Sequence, residues 1–370
     1  MDAEKLENVA IGAGILGTGG GGNPYYGKLH VRRLLDEGAQ VAVVEPAAVP
    51  DDALVVSVGG MGAPTVGIER IGRGDEPLVA LRALEAHLGR RATHLIPGEI
   101  GGGNSTRPMA IGAMAGLPLI DGDGMGRAFP ELQMDTFAIY GVNVTPAALA
   151  DIFHNTVVFP HLKDAVTLER YARAVTVQMG GAAGYAFPAM SGAEARRTAV
   201  PMTLTLAERI GANVRAARRT HRSPVDAALE VTGGRVLFQG KVVDVQRRMA
   251  AGFARGSLAL DGLADDHGSH MTVEFQNENL IARHDGAVVA VVPDLVCLVD
   301  IETAAPITTE VVRYGLRVAV LGIPAPAMLK TERALAVIGP AAFGFPEVPF
   351  TPLPGVNGGD ILAKRVGASR

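Results

Sequence analysis

A single cysteine rules out any internal disulfide, so nothing covalent staples this 370-residue chain. Cys297 sits in the apolar run Leu295-Val296-Cys297-Leu298-Val299, where a thiol behaves as a small hydrophobe and lacks the polar loop and histidine partner that a nucleophile needs. Basic residues are not in excess: 34 Lys and Arg face 38 Asp and Glu, for a net charge of -4. Neither half is a basic module, so a nucleic-acid partner is not expected. Long hydrophobic runs are missing too. Residues 8–27 and 174–193 carry no charge, but glycines break both and Pro188 breaks the second, so neither reads as a membrane span. The opening Met1-Asp2-Ala3-Glu4-Lys5 has no basic stretch leading into an apolar one, so no secretory signal is expected and the default location is the cytoplasm. Gly-x-Ser-x-Gly and HExxH are both absent, which leaves serine-triad hydrolases and zincins without support.

What the chain has is glycine. With 47 Gly and 23 Pro, loops carry much of the protein, while 48% hydrophobic residues supply a large core. A helix is predicted over Asp2–Leu16, a glycine loop over Gly17–Pro24, and a second helix over Tyr26–Glu37 with Gly38 as its left-handed cap. Short strands at Val41–Val44, Ala53–Val58, Thr93–Ile96 and Leu117–Ile120 alternate with helices over Glu76–Leu88 and from a Ser105 or Thr106 cap to Ala115. That alternation predicts an α/β domain, mostly parallel and three-layered, over residues 1–222. It closes with helices after Asp164, one of them opened by a Ser191–Glu194 capping box. After Ser223-Pro224 the period drops to two, and His284-Asp285-Gly286 reads as a hairpin turn. Residues 223–340 are therefore predicted as a smaller antiparallel, β-barrel-like domain, with 341–370 returning to the first domain.

In a parallel sheet the loops at the carboxyl ends of the strands converge on the ligand. Three such loops are unusual: Gly59-Gly60-Met61-Gly62, Gly98-Glu99-Ile100-Gly101-Gly102-Gly103-Asn104-Ser105, and Asp121-Gly122-Asp123-Gly124-Met125-Gly126-Arg127. Glu99, Asp121 and Asp123 meet if the strands are parallel. They then either hold a hard divalent cation or share a proton as general acid and base, whereas Asp-Gly pairs also cap turns through their own backbone. Arg127 is their candidate counter-ion or a substrate clamp. The segment Gly12-Ala13-Gly14-Ile15-Leu16-Gly17 matches the dinucleotide fingerprint in letters, but a helix precedes it where a strand is required, so NAD is not expected. The Gly17–Asn23 loop is better placed to cradle an anion or a carbonyl oxygen. It lacks the lysine of a P-loop, so ATP is not expected either. Asp265-Asp266-His267-Gly268-Ser269-His270 offers His267 and His270 as metal ligands or as a polar hairpin tip. Gln276-Asn277-Glu278-Asn279 either bonds itself or aims at a ligand.

The runs Ile15-Leu16-Gly17-Thr18-Gly19-Gly20-Gly21-Gly22-Asn23-Pro24, Asp121-Gly122-Asp123-Gly124-Met125-Gly126-Arg127-Ala128-Phe129-Pro130-Glu131 and Phe275-Gln276-Asn277-Glu278-Asn279-Leu280 resemble the S-methyl thiohydantoin desulfurase-like family. Gly240-Lys241-Val242-Val243-Asp244-Val245 and Gly252-Phe253-Ala254-Arg255-Gly256 do so too, in the same order along nearly the whole chain. The resemblance implies an α/β domain joined to a β-barrel-like one, an association with hydantoinase and oxoprolinase proteins, and attack of water on the ring carbon of an S-methylated thiohydantoin with loss of a thiol. It brings no catalytic residues, so the assignment rests on the chemistry of the side chains. Glu99, Asp121 and Asp123 would activate the water, with or without a divalent metal. Gly19, Gly20, Gly21, Gly22, Asn23 and Asn104 would donate to ring oxygens, and Arg127, Asn277 and Glu278 would close the site from the facing domain. The competing expectation is a non-catalytic, ligand-binding or accessory subunit of a hydantoinase/oxoprolinase-type system. The expected partners are a small-molecule ligand and such a protein, with self-association into a homo-oligomer left open.

Overall fold

The computed structural model describes residues 1–62, 64–250 and 252–354, and the side chains of 64, 65 and 68 are not part of that description. The chain begins with α1 (Ala3–Leu16) and α2 (Pro24–Asp36), then β1 (Val43–Val44), β2 (Leu54–Gly62), α3 (Pro64–Glu69), α4 (Glu76–Leu88), β3 (His94–Pro97), α5 (Gly103–Ala115), β4 (Leu119–Ile120) and β5 (Gly122–Asp123). It continues through α6 (Thr136–Ile139), β6 (Ala147–Ala150), β7 (Thr156–Phe159), α7 (Ala165–Gln178), β8 (Ala182–Ser191), α8 (Gly192–Thr198), β9 (Val200–Pro201), α9 (Thr203–Arg219) and α10 (Pro224–Thr232). The remaining elements are β10 (Arg235–Ala250), β11 (Phe253–Gly262), β12 (His270–Gln276), β13 (Glu278–His284), β14 (Ala287–Val291), β15 (Leu295–Asp300), β16 (Arg317–Ile323) and α11 (Glu332–Ile338). Among the described residues no helix is long and apolar enough to cross a membrane.

The first sheet has seven strands in the order β1-β4-β3-β2-β8-β6-β7. It is mixed rather than mostly parallel. The predicted strands form its parallel half, β1 with β4, β4 with β3 and β3 with β2, while β8, β6 and β7 add antiparallel pairs. The reason lies in the connections. Helical crossovers separate β2, β3 and β4, as parallel pairing requires, but only a short turn capped by Asp151 separates β6 from β7, and that folds back. The predicted Ser105 or Thr106 cap is displaced by a turn: α5 already starts at Gly103, and both hydroxyls donate back to the carbonyls of Gly102 and Gly103. The Ser191–Glu194 capping box is present as predicted.

The second sheet, in the order β14-β13-β12-β11-β10-β16-β15, is antiparallel throughout and curls into a half-barrel. Its hydrogen-bonded ladder is open at β14 and β15. Asp285 and Gly286 make the hairpin turn with left-handed φ of 46° and 85°, as an Asp-Gly pair allows. β15 is buried on both faces, which is why it reads as a continuous apolar run: Val296 and Leu298 pack inside the half-barrel, and Leu295, Cys297 and Val299 face the other way. There they join Leu6, Val9 and Ala13 of α1 and Ile210 and Val214 of α9 in one core shared by both halves. Of the tail, Phe343, Phe345 and Phe350 pack on this shared core and Leu353 on the half-barrel core, while residues 355–370 lie outside the described residues.

The letters of the dinucleotide fingerprint have a packing role here. A methyl group on Gly12 would sit 2.0 Å from the carbonyl oxygen of Ala207, and one on Gly211 would sit 1.9 Å from that of Asn8. These glycines let α1 and α9 cross backbone against backbone.

Candidate functional site

Two glycine segments build the floor of a cleft at the junction of the two sheets. α1 stops at Gly17, and residues 18–22 then run against the loop that follows β3, so that the Gly103 N–H donates to the carbonyls of Gly21 and Gly22, both at 2.9 Å. Side chains cannot fit between them: a Cβ on Gly21 (φ 71°) would lie 2.3 Å from the Gly101 oxygen, and one on Gly102 (φ 58°) would lie 2.2 Å from the Gly22 oxygen. The other side of the loop is bound to the second sheet. The Asn279 N–H donates to the Thr18 carbonyl at 2.7 Å and the Thr309 N–H to the Gly19 carbonyl at 2.8 Å.

The cleft has a volume of about 510 Å³ and is lined by Gly21, Gly22, Asn104, Arg107, Tyr185 and Phe129, with Glu99, Asn277, Glu278 and Glu310 supplying its acids and amides. Glu99, just beyond β3, is buried. Its carboxylate accepts from Asn104 Nδ2 at 2.6 Å and from the Phe129 N–H at 3.2 Å, yet burial still raises its pKa to about 7. Glu278, the first residue of β13, comes from the opposite half. Burial and the charge of Glu99 push it well above the usual carboxylate range, against the pull of Arg127 and the Gly21 N–H, and its Oε2 has no hydrogen-bond partner. Glu310 is likewise raised by burial and has an unpartnered Oε2. The Tyr185 phenol, beside Ser57, is held neutral by burial.

Asn104 is the hinge of this arrangement. Its Oδ1 accepts from the Gly60 N–H at 3.0 Å and from Arg107 at 3.1 Å, while Nδ2 donates to the Gly60 carbonyl at 3.2 Å and to Glu99. Every polar valence of the amide is used, so its orientation is fixed.

The structure thus brings together Glu99, Asn104, Gly21, Gly22, Asn23, Asn277 and Glu278 around one cavity. Asn23 and Asn277 reach its wall with their side chains already engaged, Asn23 capping α2 through the Tyr25 N–H and Asn277 accepting from the Ala254 N–H. Gly19 and Gly20 lie behind the floor, where a Cβ on Gly20 would strike Glu278 Oε1. Other expected members are placed elsewhere. The Asp121 carboxylate accepts from the N–H groups of Leu204 and Thr205 and from the Thr205 hydroxyl, capping α9, whose own N-cap residue Met202 has no side-chain acceptor to offer. Asp123 accepts from the N–H groups of Ile100, Met125 and Gly126, which holds the two loops together. The turn reading of Asp-Gly describes Asp123, which accepts from Met125 and Gly126 in its own turn, but not Asp121, which caps a helix distant in sequence.

Arg127 is not a clamp open to the cleft. It is completely buried, and it donates to the carbonyls of Ala128, Pro293, Asp294 and Asn279 and to the Thr18 hydroxyl, tying the glycine loop to the half-barrel. His267 and His270 are exposed at a hairpin tip, with His270 Nδ1 3.0 Å from Asp261. Among the described residues no three His, Cys, Asp or Glu side chains form a group that could hold a metal ion, so the carboxylates and histidines expected to share one are not assembled for it. Arg107 and Glu310 were not anticipated. Arg107 had a usable signal, since it stands three residues after Asn104 on α5 and so shares its face.

Fold and cleft together define a two-sheet α/β protein with a glycine-floored cavity carrying buried carboxyl groups from both halves. The domain descriptions "S-Me-THD-like, N-terminal domain" and "S-Me-THD-like, C-terminal domain" match residues 4–161 and 163–353, so the chain belongs to the S-Me-THD-like family. It is also similar to a crystal structure of a protein from Chromobacterium violaceum, with 25% identity and a TM-score of 0.78 over 96% of this chain and 99% of that one. No curated protein matches it.

Proposed function

We propose that the protein hydrolyses an S-alkylated thiohydantoin-like ring, using Glu99 as general base and Glu278 as general acid. The observation that carries this reading is the pair of buried carboxyls, one from each half, that face one cleft with different proton affinities. Glu99 loses its proton first, at about 7, and the charge it then carries keeps Glu278 protonated. Glu99 takes a proton from water as the oxygen bonds to the ring carbon. The electrons of the C=N bond move to the ring nitrogen, which takes the proton of Glu278. The new hydroxyl then returns its proton to Glu278 as the carbonyl forms, the C–S bond breaks, and the thiol leaves with the proton held by Glu99. Ring, water, thiol and both carboxyls balance. The cleft floor supplies Gly21 and Gly22 as close backbone neighbours for the ring.

The test is conversion of an S-methyl thiohydantoin to the hydantoin, followed by mass spectrometry and by trapping of the released thiol. Glu278→Gln is expected to lower turnover about a hundredfold or more with the melting temperature little changed, in line with the usual contribution of a positioned acid or base. Thiol release by Glu278→Gln at the rate of the unmodified protein, or none by the unmodified protein on any S-alkylated ring, would sink the reading.

A further inference from the structure

Five arginines border the cleft, and four of them are engaged elsewhere. Arg33 pairs with Glu37, Arg73 approaches Asp75, Arg173 pairs with Glu169 and donates to the Pro130 carbonyl, and Arg70 donates to the Met179 carbonyl. Arg107 differs. Its side chain lines the cleft and is exposed to the solvent that fills it. Its guanidinium lies close against Gly60, where a Cβ would come within 2.3 Å of Nη1. Among the described residues it makes no ion pair, and one hydrogen bond, to Asn104 Oδ1, uses only part of its fork of donors. Asn104 bonds both Arg107 and Glu99, so the two are bridged by the amide and make no direct ion pair. A guanidinium at the cleft wall, with no acidic partner and with idle donors accessible to solvent, is available to an anionic ligand.

We propose that Arg107 is the anchor for a carboxylate carried by the substrate, so that the ring hydrolysed here bears an acidic side chain. The inference rests on the ring-hydrolysis reading for its scaffold, and on Arg107 alone for the acid. A planar carboxylate matches the planar fork with two parallel hydrogen bonds. A doubly charged phosphate fits less well, because the carboxylates of Glu76 and Glu99 border the same cavity and would repel the second charge. Held on Arg107, the acid arm lies one amide away from Glu99, which places the ring carbon beside the base.

Calorimetric titration with three probes tests this: hydantoin-5-acetic acid, its neutral amide, and succinate, which has the carboxylates without the ring. The unmodified protein should bind the acid about ten- to hundredfold tighter than the amide, the usual range for a charge-assisted pair. Arg107→Gln should erase that preference and leave the amide's affinity in place, and Arg107→Lys should restore part of it. Equal affinities for acid and amide, or an equal weakening of both by Arg107→Gln, would overturn the anchor and leave the ring reading standing. Arg107-dependent binding of succinate with no binding of either ring would uphold the anchor and count against the ring. If neither the rings nor succinate bind, the anchor is wrong.

Discussion

Glu99 illustrates how a single side chain couples the site to stability. Its ordinary pKa of 4.5 is raised to about 7 by burial, so between these values the folded protein binds a proton that the unfolded chain does not. The group's contribution is then fully present below about 4.5 and is lost as pH rises through about 7. The melting temperature should therefore fall as pH is raised from 5 to about 7.5, with Glu99 accounting for a slope of at most about 1.4 kcal/mol per pH unit. Glu99→Gln should reduce that slope in a set of thermal melts, leaving the part carried by Asp123 and Asp135, which burial raises to about 8 and about 7, and an unchanged slope would refute the assignment. At this scale the chemistry was partly legible. Glu99 and Glu278 stand at strand ends and Asn104 in the first turn of α5, within the loops where binding groups concentrate. Asp121 and Asp123 were legible as capping residues, but which donors they reach depends on α9 returning beside the strand. Arg107 had only its spacing from Asn104 as a signal, since the cleft that exposes it is assembled by β2, β8 and the glycine loop.

Helices and strands were read well where periodicity carries the information and poorly where direction does. The helix over Glu76–Leu88 and the parallel group β1-β4-β3-β2 follow from apolar spacing and alternation. β6, β7 and β8 were not among the predicted strands: the segment after Asp164 reads as helical, and the antiparallel pairing of β8 with β2 had to come from the fold. The crossing of α1 and α9 gives a sharp test of what its glycines do. Alanine at Gly12 improves helix propensity by about 1 kcal/mol, yet its methyl group must displace the α9 backbone. The contact should win, and Gly12→Ala should lose about 1–3 kcal/mol in urea unfolding. A gain in stability would show that the helices part easily.

For the whole molecule, the decisive feature is that the half-barrel, besides its own core, shares a second core with the first half at their junction. Leu295, Cys297 and Val299 of the half-barrel pack with α1 and α9, and Arg127 hydrogen-bonds across the same junction. Sequence periodicity says which face of an element is apolar but not which other element it meets, so this sharing was not legible. Arg127→Met should strand several buried carbonyls and cost about 3 kcal/mol or more, at about 1–3 kcal/mol for each unpaired group. The unmodified protein should unfold in one transition followed by far-ultraviolet circular dichroism and by tyrosine emission alike. Wild-type stability in Arg127→Met, or two separate transitions in the unmodified protein, would contradict this account.

The glycine loop between the sheets has a thermodynamic consequence. Glycine loses more backbone freedom on folding than any other residue, so residues 19–22 have a strong tendency to disorder when released. Contacts to α5 within their own half hold them on one side, and contacts to the half-barrel, made only when the two halves are docked, complete the restraint on the other. The cleft floor and the fold are thus a single cooperative unit, with no partly folded state in which the floor exists alone. A ligand that fills the cleft raises the unfolding free energy of the entire chain by mass action, and a lesion far from the cleft that loosens the docking empties the site before it changes any residue that lines it.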